Sequence, residues 1–155
     1  MTGDQPALPR GVRLGIDVGT VRVGVAISDP DGVLATPVAT LARDRAPRDD
    51  RPPSDMASIA ALVREREAVA VVVGLPVTLS GAEGHAATLS RQYADRLATV
   101  IDPVPVLLSD ERMSTAAAAR RLSERGVRGR RQRAVVDQAA AVEILQGWLD
   151  GLRRQ

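Results

Sequence analysis

Apolar residues near the start of the chain occur in short segments separated by turn-forming positions. Three such segments predict β-strands over residues 12–18, 22–28 and 33–41. Residues 19–21, Gly-Thr-Val, separate the first two strands and predict a hairpin. Residues 29–32, Asp-Pro-Asp-Gly, are a strong turn signal before the third strand, in which Pro37 favours an edge position or a β-bulge.

After residue 54 the pattern alternates between helical and extended periods. It predicts helices over 55–67, 85–99, 115–125 and 134–150, and strands over 68–73 and 104–109. Residues 68–73 are continuously apolar, as expected for a strand covered on both faces. Three antiparallel strands followed by alternating helices and strands predict an α/β fold, with a five-stranded mixed sheet flanked by helices.

The chain length suits one domain, which we place at residues 11–150. Residues 1–10 are expected to be a disordered tail and residues 151–155 a C-terminal tail. Residues 42–54 are rich in charge and proline and predict a mobile surface loop, after which Ser54 or Asp55 could cap the next helix. No apolar signal core or membrane span is visible, so we expect a cytoplasmic protein that does not bind a membrane.

The composition excludes several kinds of metal site and catalytic group. The 155 residues contain no cysteine, which excludes disulfides, thiolate metal sites and a thiol nucleophile. Any metal must be held by oxygen or by His85, the one histidine, which we interpret as a surface or helix-start residue. With one Trp, one Tyr and no Phe, recognition by stacking on nucleic-acid bases is disfavoured.

Charge is informative in its distribution. The net charge is only +2, but all 21 basic residues are Arg, and residues 120–133 contain seven of them with a single acid, Glu124. Such a local excess suits binding of phosphates, although a solvated helix end could have the same composition.

Two acidic residues occupy positions that should be costly. Asp17 lies inside an apolar strand, between Ile16 and Val18, where an unpaired carboxylate costs several kcal/mol. Asp137 shares a helix face with apolar residues at the following turns: Ala140, Ala141, Ile144 and Trp148. The simpler alternatives are a turn-capping role for Asp17 and first-turn stabilisation of a helix by Asp137.

A third acid, Glu111, follows the strand predicted over 104–109, at the end where open α/β sheets place their sites. Its neighbour Asp110 would point elsewhere if the extended conformation continues, and Glu111 could also be a surface partner of Arg112. Clustered carboxylates repel one another, and a divalent cation such as Mg²⁺ or Mn²⁺ relieves that repulsion. The sequence therefore predicts a metal site made by Asp17, Glu111 and Asp137.

Four blocks of the chain, in this order, resemble the YqgF family, also called RuvX and described as Holliday junction resolvases. The blocks are LGIDVGTVRVGVAISD (14–29), VVGLPVTLSGAEG (72–84), DERMST (110–115) and DQAAAVEILQGWL (137–149). The resemblance spans nearly the whole chain and implies a ribonuclease-H-like fold. It also implies a nuclease that matures the 5′ end of pre-16S rRNA in ribosome biogenesis.

The resemblance carries residue roles with it. Asp17 matches the first-strand acid of the superfamily, and Asp137 matches the acid that opens the last helix. Glu111 matches the acid at the end of the fourth strand, with Asp110 as a close competitor. Gly74 to Pro76 match a loop near the substrate. Positions 140 and 141 are Ala, so the fourth acid of many ribonuclease-H-like nucleases is missing, which leaves open whether one or two metals bind.

Several residues are candidates for phosphate contact. Thr20 and Arg22 follow Asp17 and could touch a phosphate or serve only as turn residues. We expect the nucleic-acid backbone to be gripped by arginines, since Arg pairs with phosphate through two hydrogen bonds. The candidates are Arg112, Arg128, Arg130, Arg131 and Arg133.

Three other functions remain open from the sequence. The first is a resolvase of four-way DNA junctions, which would have the same fold and would favour a two-fold dimer. The sequence therefore leaves two alternatives open: the substrate is structured RNA or branched DNA, and the protein is a monomer or a homodimer. Residues 17–20 also resemble a phosphate loop of the actin and sugar-kinase superfamily, although that fold needs two lobes. A non-catalytic nucleic-acid-binding module is the third alternative.

Overall fold

A computed structural model describes residues 10–78, 80–110 and 130–153, with side chains from residue 134 onward in the last segment. The described elements are β1 (Arg13–Val18), β2 (Arg22–Ser28), β3 (Ala35–Ala42), α1 (Ser54–Glu65), β4 (Ala70–Leu75), α2 (His85–Ile101), β5 (Val106–Asp110) and α3 (Arg130–Arg153). The helix predicted over 115–125 lies outside these residues. No helix in the described segments is long and apolar enough to cross a membrane.

The five strands form one mixed sheet in the order β3-β2-β1-β4-β5. The pairs β1–β2 and β2–β3 are antiparallel, and the pairs β1–β4 and β4–β5 are parallel. Both expectations for Pro37 are met, because β3 is an edge strand and its register with β2 shifts between Val25 and Ala26. The predicted α/β class is therefore confirmed.

Each face of the sheet has its own apolar core. Alternate residues of β4 show this directly, since Val71 and Val73 pack with α1 and α2, whereas Val72 packs with α3. All six residues of β4 are buried, as its continuous apolar sequence predicted. The core beneath α3 is built largely from Ala26, Ala140, Ala141, Ile144, Leu145 and Leu149.

Some predicted boundaries were wrong. α1 begins at Ser54, so Pro53 is at the N-cap position and neither Ser54 nor Asp55 caps the helix as predicted. Asp55 instead turns inward and accepts hydrogen bonds from Asp44 N and Tyr93 Oη. β4 continues two residues past its predicted end, since Gly74 and Leu75 pair with Ser109 and Asp110 of β5. α3 is longer than predicted at both ends, and Arg153 in its last turn donates to Gly32 O.

Two glycines let α3 lie unusually close to the sheet. A Cβ atom at Gly15 of β1 would come within 2.6 Å of Leu145 Cβ. A Cβ atom at Gly24 of β2 would come within 2.0 Å of the carbonyl oxygen of Asp137. A backbone atom cannot move aside as the end of a flexible side chain can. α3 can therefore pack in this position over β1 and β2 only because residues 15 and 24 are both glycine.

We predict that Gly24→Ala lowers the free energy of unfolding by about 1–3 kcal/mol or more, because the new methyl group forces α3 away from the sheet. The matched control is Gly147→Ala, in α3, where an added Cβ meets no atom within 4 Å. That change should raise stability by roughly 0.5–1 kcal/mol through helix propensity. Denaturant unfolding of both variants measures the difference, and equal stabilities would contradict the close-packing argument.

Candidate functional site

A cleft of about 270 Å³ opens where β1, the β1–β2 turn and α3 meet. It contains both described acids of the predicted trio, Asp17 and Asp137. The rest of its lining comes from the β1–β2 turn, the end of β3 and the start of α2: Val18, Gly19, Thr20, Val21, Arg22, Arg43, Ala86 and Leu89.

Strand alternation explains why the two acids meet. Leu14 and Ile16 face the core under α1 and α2, so Gly15 and Asp17 face α3. Asp17 is directly opposite Gly24 in the β1–β2 register, and Gly24 is the point at which the Asp137 backbone touches the sheet. The contact between Asp137 and Gly24, which is possible because Gly24 has no side chain, therefore brings both acids to the same cleft.

Both acids are largely removed from water. Asp17 is only 4% exposed, and the side chain of Asp137 is 14% exposed. The helix-face argument for Asp137 is confirmed, because Ala140, Ala141 and Ile144 on the same face are buried. Arg22 Nε donates to Asp137 Oδ2 at 2.7 Å, which gives this carboxylate a cationic partner across the cleft.

The third predicted acid, Glu111, lies outside the described residues. Asp110 is the last residue of β5 and is exposed. Within residues 10–78, 80–110 and 130–153, no three His, Asp or Glu side chains are grouped closely enough to hold a metal ion. Of the three acids of the predicted metal site, the structure therefore describes Asp17 and Asp137, whose carboxylate oxygens are the kind of donor that Mg²⁺ and Mn²⁺ prefer.

The predicted phosphate-binding residues divide into three groups. Thr20 and Arg22 line the cleft. Arg130, Arg131 and Arg133 are in α3, one to two turns before Asp137, and their side chains are not described. Arg112 and Arg128 lie outside the described residues.

The structure also describes three other residues that were singled out in the sequence: Gly74, Pro76 and His85. Gly74 is buried within β4 rather than in the loop after it, so its place in a substrate-contacting loop is corrected. Pro76 is half-buried just beyond the strand, and neither residue is among the described lining of the cleft. His85 is exposed at the first residue of α2, as interpreted from the sequence.

Sequence reasoning missed Arg43, Asp55 and Tyr93. Arg43 directly follows β3 and lines the cleft, although it belongs to the segment interpreted as a mobile loop. Asp55 is 3% exposed and accepts a 2.7 Å hydrogen bond from Tyr93 Oη. A signal was present, because Asp55 shares the helical face of Ile59 and Val63, the same kind of pattern that singled out Asp137.

Tyr93 is a fixed hydrogen-bond donor in this cluster. Burial of the ring, followed by the hydrogen bond to the Asp55 carboxylate, raises the pKa of the Tyr93 phenol far above its usual range. The nearby guanidinium of Arg43 lowers the pKa of the phenol, but its effect is smaller than that of burial and of the hydrogen bond. The phenol therefore stays protonated and keeps the proton that it donates to Asp55.

Comparison with known proteins identifies the family of the chain. The family model RuvX, described as Holliday junction resolvase, matches residues 11–151. The chain belongs to the RuvX family. The match confirms the resemblance found in the sequence, and it includes residues 17–20, on which the phosphate-loop alternative rested.

Close relatives of this RuvX chain carry the name "Putative pre-16S rRNA nuclease". A protein of Rhodococcus erythropolis is 55% identical over 150 residues, which cover 95% of this chain and 84% of the relative. A protein of Nocardia farcinica is 61% identical over 142 residues, covering 91% of this chain and 78% of the relative.

Among solved structures, T. thermophilus RuvC in complex with a Holliday junction substrate has a similar fold. Its TM-score is 0.51 at 16% identity, covering 92% of this chain and 96% of that chain. At this identity the likeness is one of fold, and it agrees with the ribonuclease-H-like sheet expected from the RuvX resemblance.

We predict that Arg22→Gln makes Mn²⁺ bind about tenfold more tightly to the protein without nucleic acid, because the guanidinium and the cation compete for the Asp137 carboxylate. Calorimetric titration with Mn²⁺ measures the affinity. Arg10→Gln is the control, since Arg10 pairs with Asp31 on the exposed surface and the charge change is equal. Equal Mn²⁺ affinities in the two variants would contradict the competition.

Proposed function

We propose that this protein is a metal-dependent nuclease that hydrolyses phosphodiester bonds in nucleic acid. The observation that carries the proposal is the shared cleft of Asp17 and Asp137, two acids on separate elements that are both largely buried. Burying like charges together costs stability unless a cation or a substrate group compensates them. Membership of the RuvX family and the names of the relatives support the same activity.

In this proposal Asp17, Glu111 and Asp137 hold Mg²⁺ or Mn²⁺. A divalent cation bound there would supply Lewis-acid stabilisation of the charge that develops on the phosphate oxygens. Asp17 is held rigidly because it lies in a paired strand at the centre of the sheet. Asp137 is held by helix packing and by Arg22, so both carboxylates are oriented before a substrate arrives.

The remaining candidates bind and orient the nucleic acid. Thr20 and Arg22 are at the cleft and suit a phosphate next to the cleaved bond. The arginine-rich segment, residues 120–133, suits the backbone further away, and its contacts are Arg128, Arg130, Arg131 and Arg133. Arg112, which precedes this segment, is a further backbone contact. Backbone contacts of this kind do not depend on base sequence and weaken steeply with salt.

We propose structured RNA, the 5′ end of pre-16S rRNA, as the substrate, because the relatives at 55–61% identity carry that name. The second candidate is a four-way DNA junction, which the description of the matching family favours. A non-catalytic module fits less well, since nothing in simple binding requires two buried carboxylates in one cleft. A cytoplasmic location follows from the proposed rRNA substrate.

We predict that Asp17→Asn and Asp137→Asn each reduce metal-dependent cleavage by about 100-fold or more, because each removes a charged ligand. The purified chain would be incubated with a labelled pre-16S 5′ fragment and with a synthetic four-way DNA junction. Mg²⁺, Mn²⁺ and EDTA would be compared on both substrates, and product would be measured on denaturing gels.

The control for this experiment is Asp31→Asn, an exposed acid in the β2–β3 turn, which should leave cleavage unchanged. Cleavage of RNA alone would support rRNA processing, and cleavage of the junction alone would support the resolvase. Failure to cleave either substrate with either metal would count against the nuclease and favour the binding module.

A further inference from the structure

Arg43 reaches the cleft in a conformation fixed from several sides. Its backbone N–H donates to Val21 O at 2.8 Å, and its Nη1 donates to Gly19 O at 2.9 Å. Its guanidinium carbon lies 5.0 Å from the centroid of the Tyr93 ring, which is within range of a cation–π contact. Its Nε is 4.0 Å from Asp55 Oδ2. The side chain is therefore held against the β1–β2 turn that carries Thr20 and Arg22.

Asp55 and Tyr93 form a buried polar pair beneath Arg43, and burying polar groups costs free energy of folding. The Asp55 side chain is 1% exposed. Its Oδ1 accepts from Asp44 N at 3.0 Å, and its Oδ2 accepts from Tyr93 Oη at 2.7 Å. Replacing a buried ionic cluster by apolar residues is often neutral or stabilising, so its presence calls for a reason other than stability.

The loop that follows Arg43 is also held in place. Asp44 Oδ2 accepts from Ser54 N at 3.0 Å, and Asp44 Oδ1 accepts from Ala46 N at 2.9 Å. These bonds, that from Ser54 most strongly, lower the pKa of the Asp44 carboxyl, so it remains an ionised acceptor. Further along, Arg96 Nη2 donates to Arg48 O at 2.8 Å. Thus the segment around Arg43 has a defined shape at the edge of the cleft.

Arg22 and Arg43 differ in their partners at the cleft. The Nε of Arg22 is bonded to Asp137, one of the two acids of the cleft. A guanidinium has five N–H donors, and in the described part of the chain Nη2 of Arg43 donates to no acceptor. The Arg43 side chain is 34% exposed, whereas its supporting Asp55 is almost fully enclosed. The open donors belong to a residue that lines the cleft.

We propose that Arg43 binds a backbone phosphate of the nucleic-acid substrate, and that Asp55 and Tyr93 are the residues that position it. This inference rests on the proposed nuclease function and adds a phosphate contact outside the arginine-rich segment. A preorganised arginine loses less side-chain entropy when it binds a phosphate, so its rigidity raises affinity. Asp55 balances the charge of Arg43 from below and leaves the outer edge of the guanidinium for the ligand.

The first test is equilibrium binding of fluorescein-labelled pre-16S 5′ RNA and of a labelled four-way DNA junction, in EDTA so that neither is cleaved. Arg43→Gln would be compared with Arg64→Gln, an equal charge change at an exposed residue of α1. We expect Arg43→Gln to raise Kd about tenfold relative to the control, and to reduce the slope of log K against log salt by about one.

A second variant separates positioning from folding. Tyr93→Phe keeps the ring that packs under Arg43 and removes only the hydroxyl that holds Asp55. It should raise Kd several-fold while leaving the salt slope unchanged, because the charge of Arg43 is still present. The double variant Arg43→Gln/Tyr93→Phe should bind no more weakly than Arg43→Gln alone, since the two residues act as one unit.

The outcomes are distinct. If the native chain binds and Arg43→Gln matches Arg64→Gln, the role of Arg43 is overturned while the proposed nuclease stands. Additive losses in the double variant would overturn the positioning role of Tyr93, because a purely structural residue would act independently of Arg43. If the native chain binds neither probe in EDTA and cleaves neither substrate with Mg²⁺ or Mn²⁺, the proposed function itself fails and the inference fails with it.

Discussion

The contact between α3 and the β1–β2 hairpin is the constraint on which the rest of this structure depends. Gly15 and Gly24 have no side chains, and α3 occupies the space that a Cβ atom would fill. This close packing of α3 on the hairpin buries the apolar core beneath the helix. It also places the backbone of Asp137 against Gly24, which is the register partner of Asp17. Because packed backbones do not deform gradually, a small residue at one strand position determines whether the two acids face one cleft.

Charge compensation is the second organising feature, and arginine provides it. Asp137 is paired with Arg22 at 2.7 Å, and Asp55 lies beneath Arg43 with Tyr93 as a second partner. The lining of the cleft therefore contains two carboxylates, Asp17 and Asp137, and two guanidinium groups, Arg22 and Arg43. A mixed lining of this kind suits a ligand that is itself anionic and needs a cation, as a nucleic-acid phosphate does. The RuvX family to which the chain belongs supplies the biochemical context for that ligand.

The comparison of Asp137 with Asp55 shows how far sequence reasoning can go. Both are acids on an apolar helix face, and Asp137 was found because its long helix made the face obvious. Asp55 is in the first turn of α1, where an acid is ordinarily explained by a cap or by the helix dipole, and from the sequence it was one of two candidates for the cap, with Ser54. Its partners Asp44 and Tyr93 are 11 and 38 residues away, and no local pattern connects them.

The sequence by itself determined the α/β class, the order of the described strands and helices, the buried character of β4 and the membership of the RuvX family. These features could be predicted because periodicity, turn residues and motif blocks are local properties of the chain. It also pointed to Asp17 and Asp137 as acids in apolar surroundings. Only the tertiary structure decided that they share a cleft, that Arg22 pairs with Asp137 over 115 residues of sequence, and that Arg43 lines the same cleft. Those facts depend on sheet register and on the distance at which α3 packs, and both are set by contacts between residues far apart in the chain.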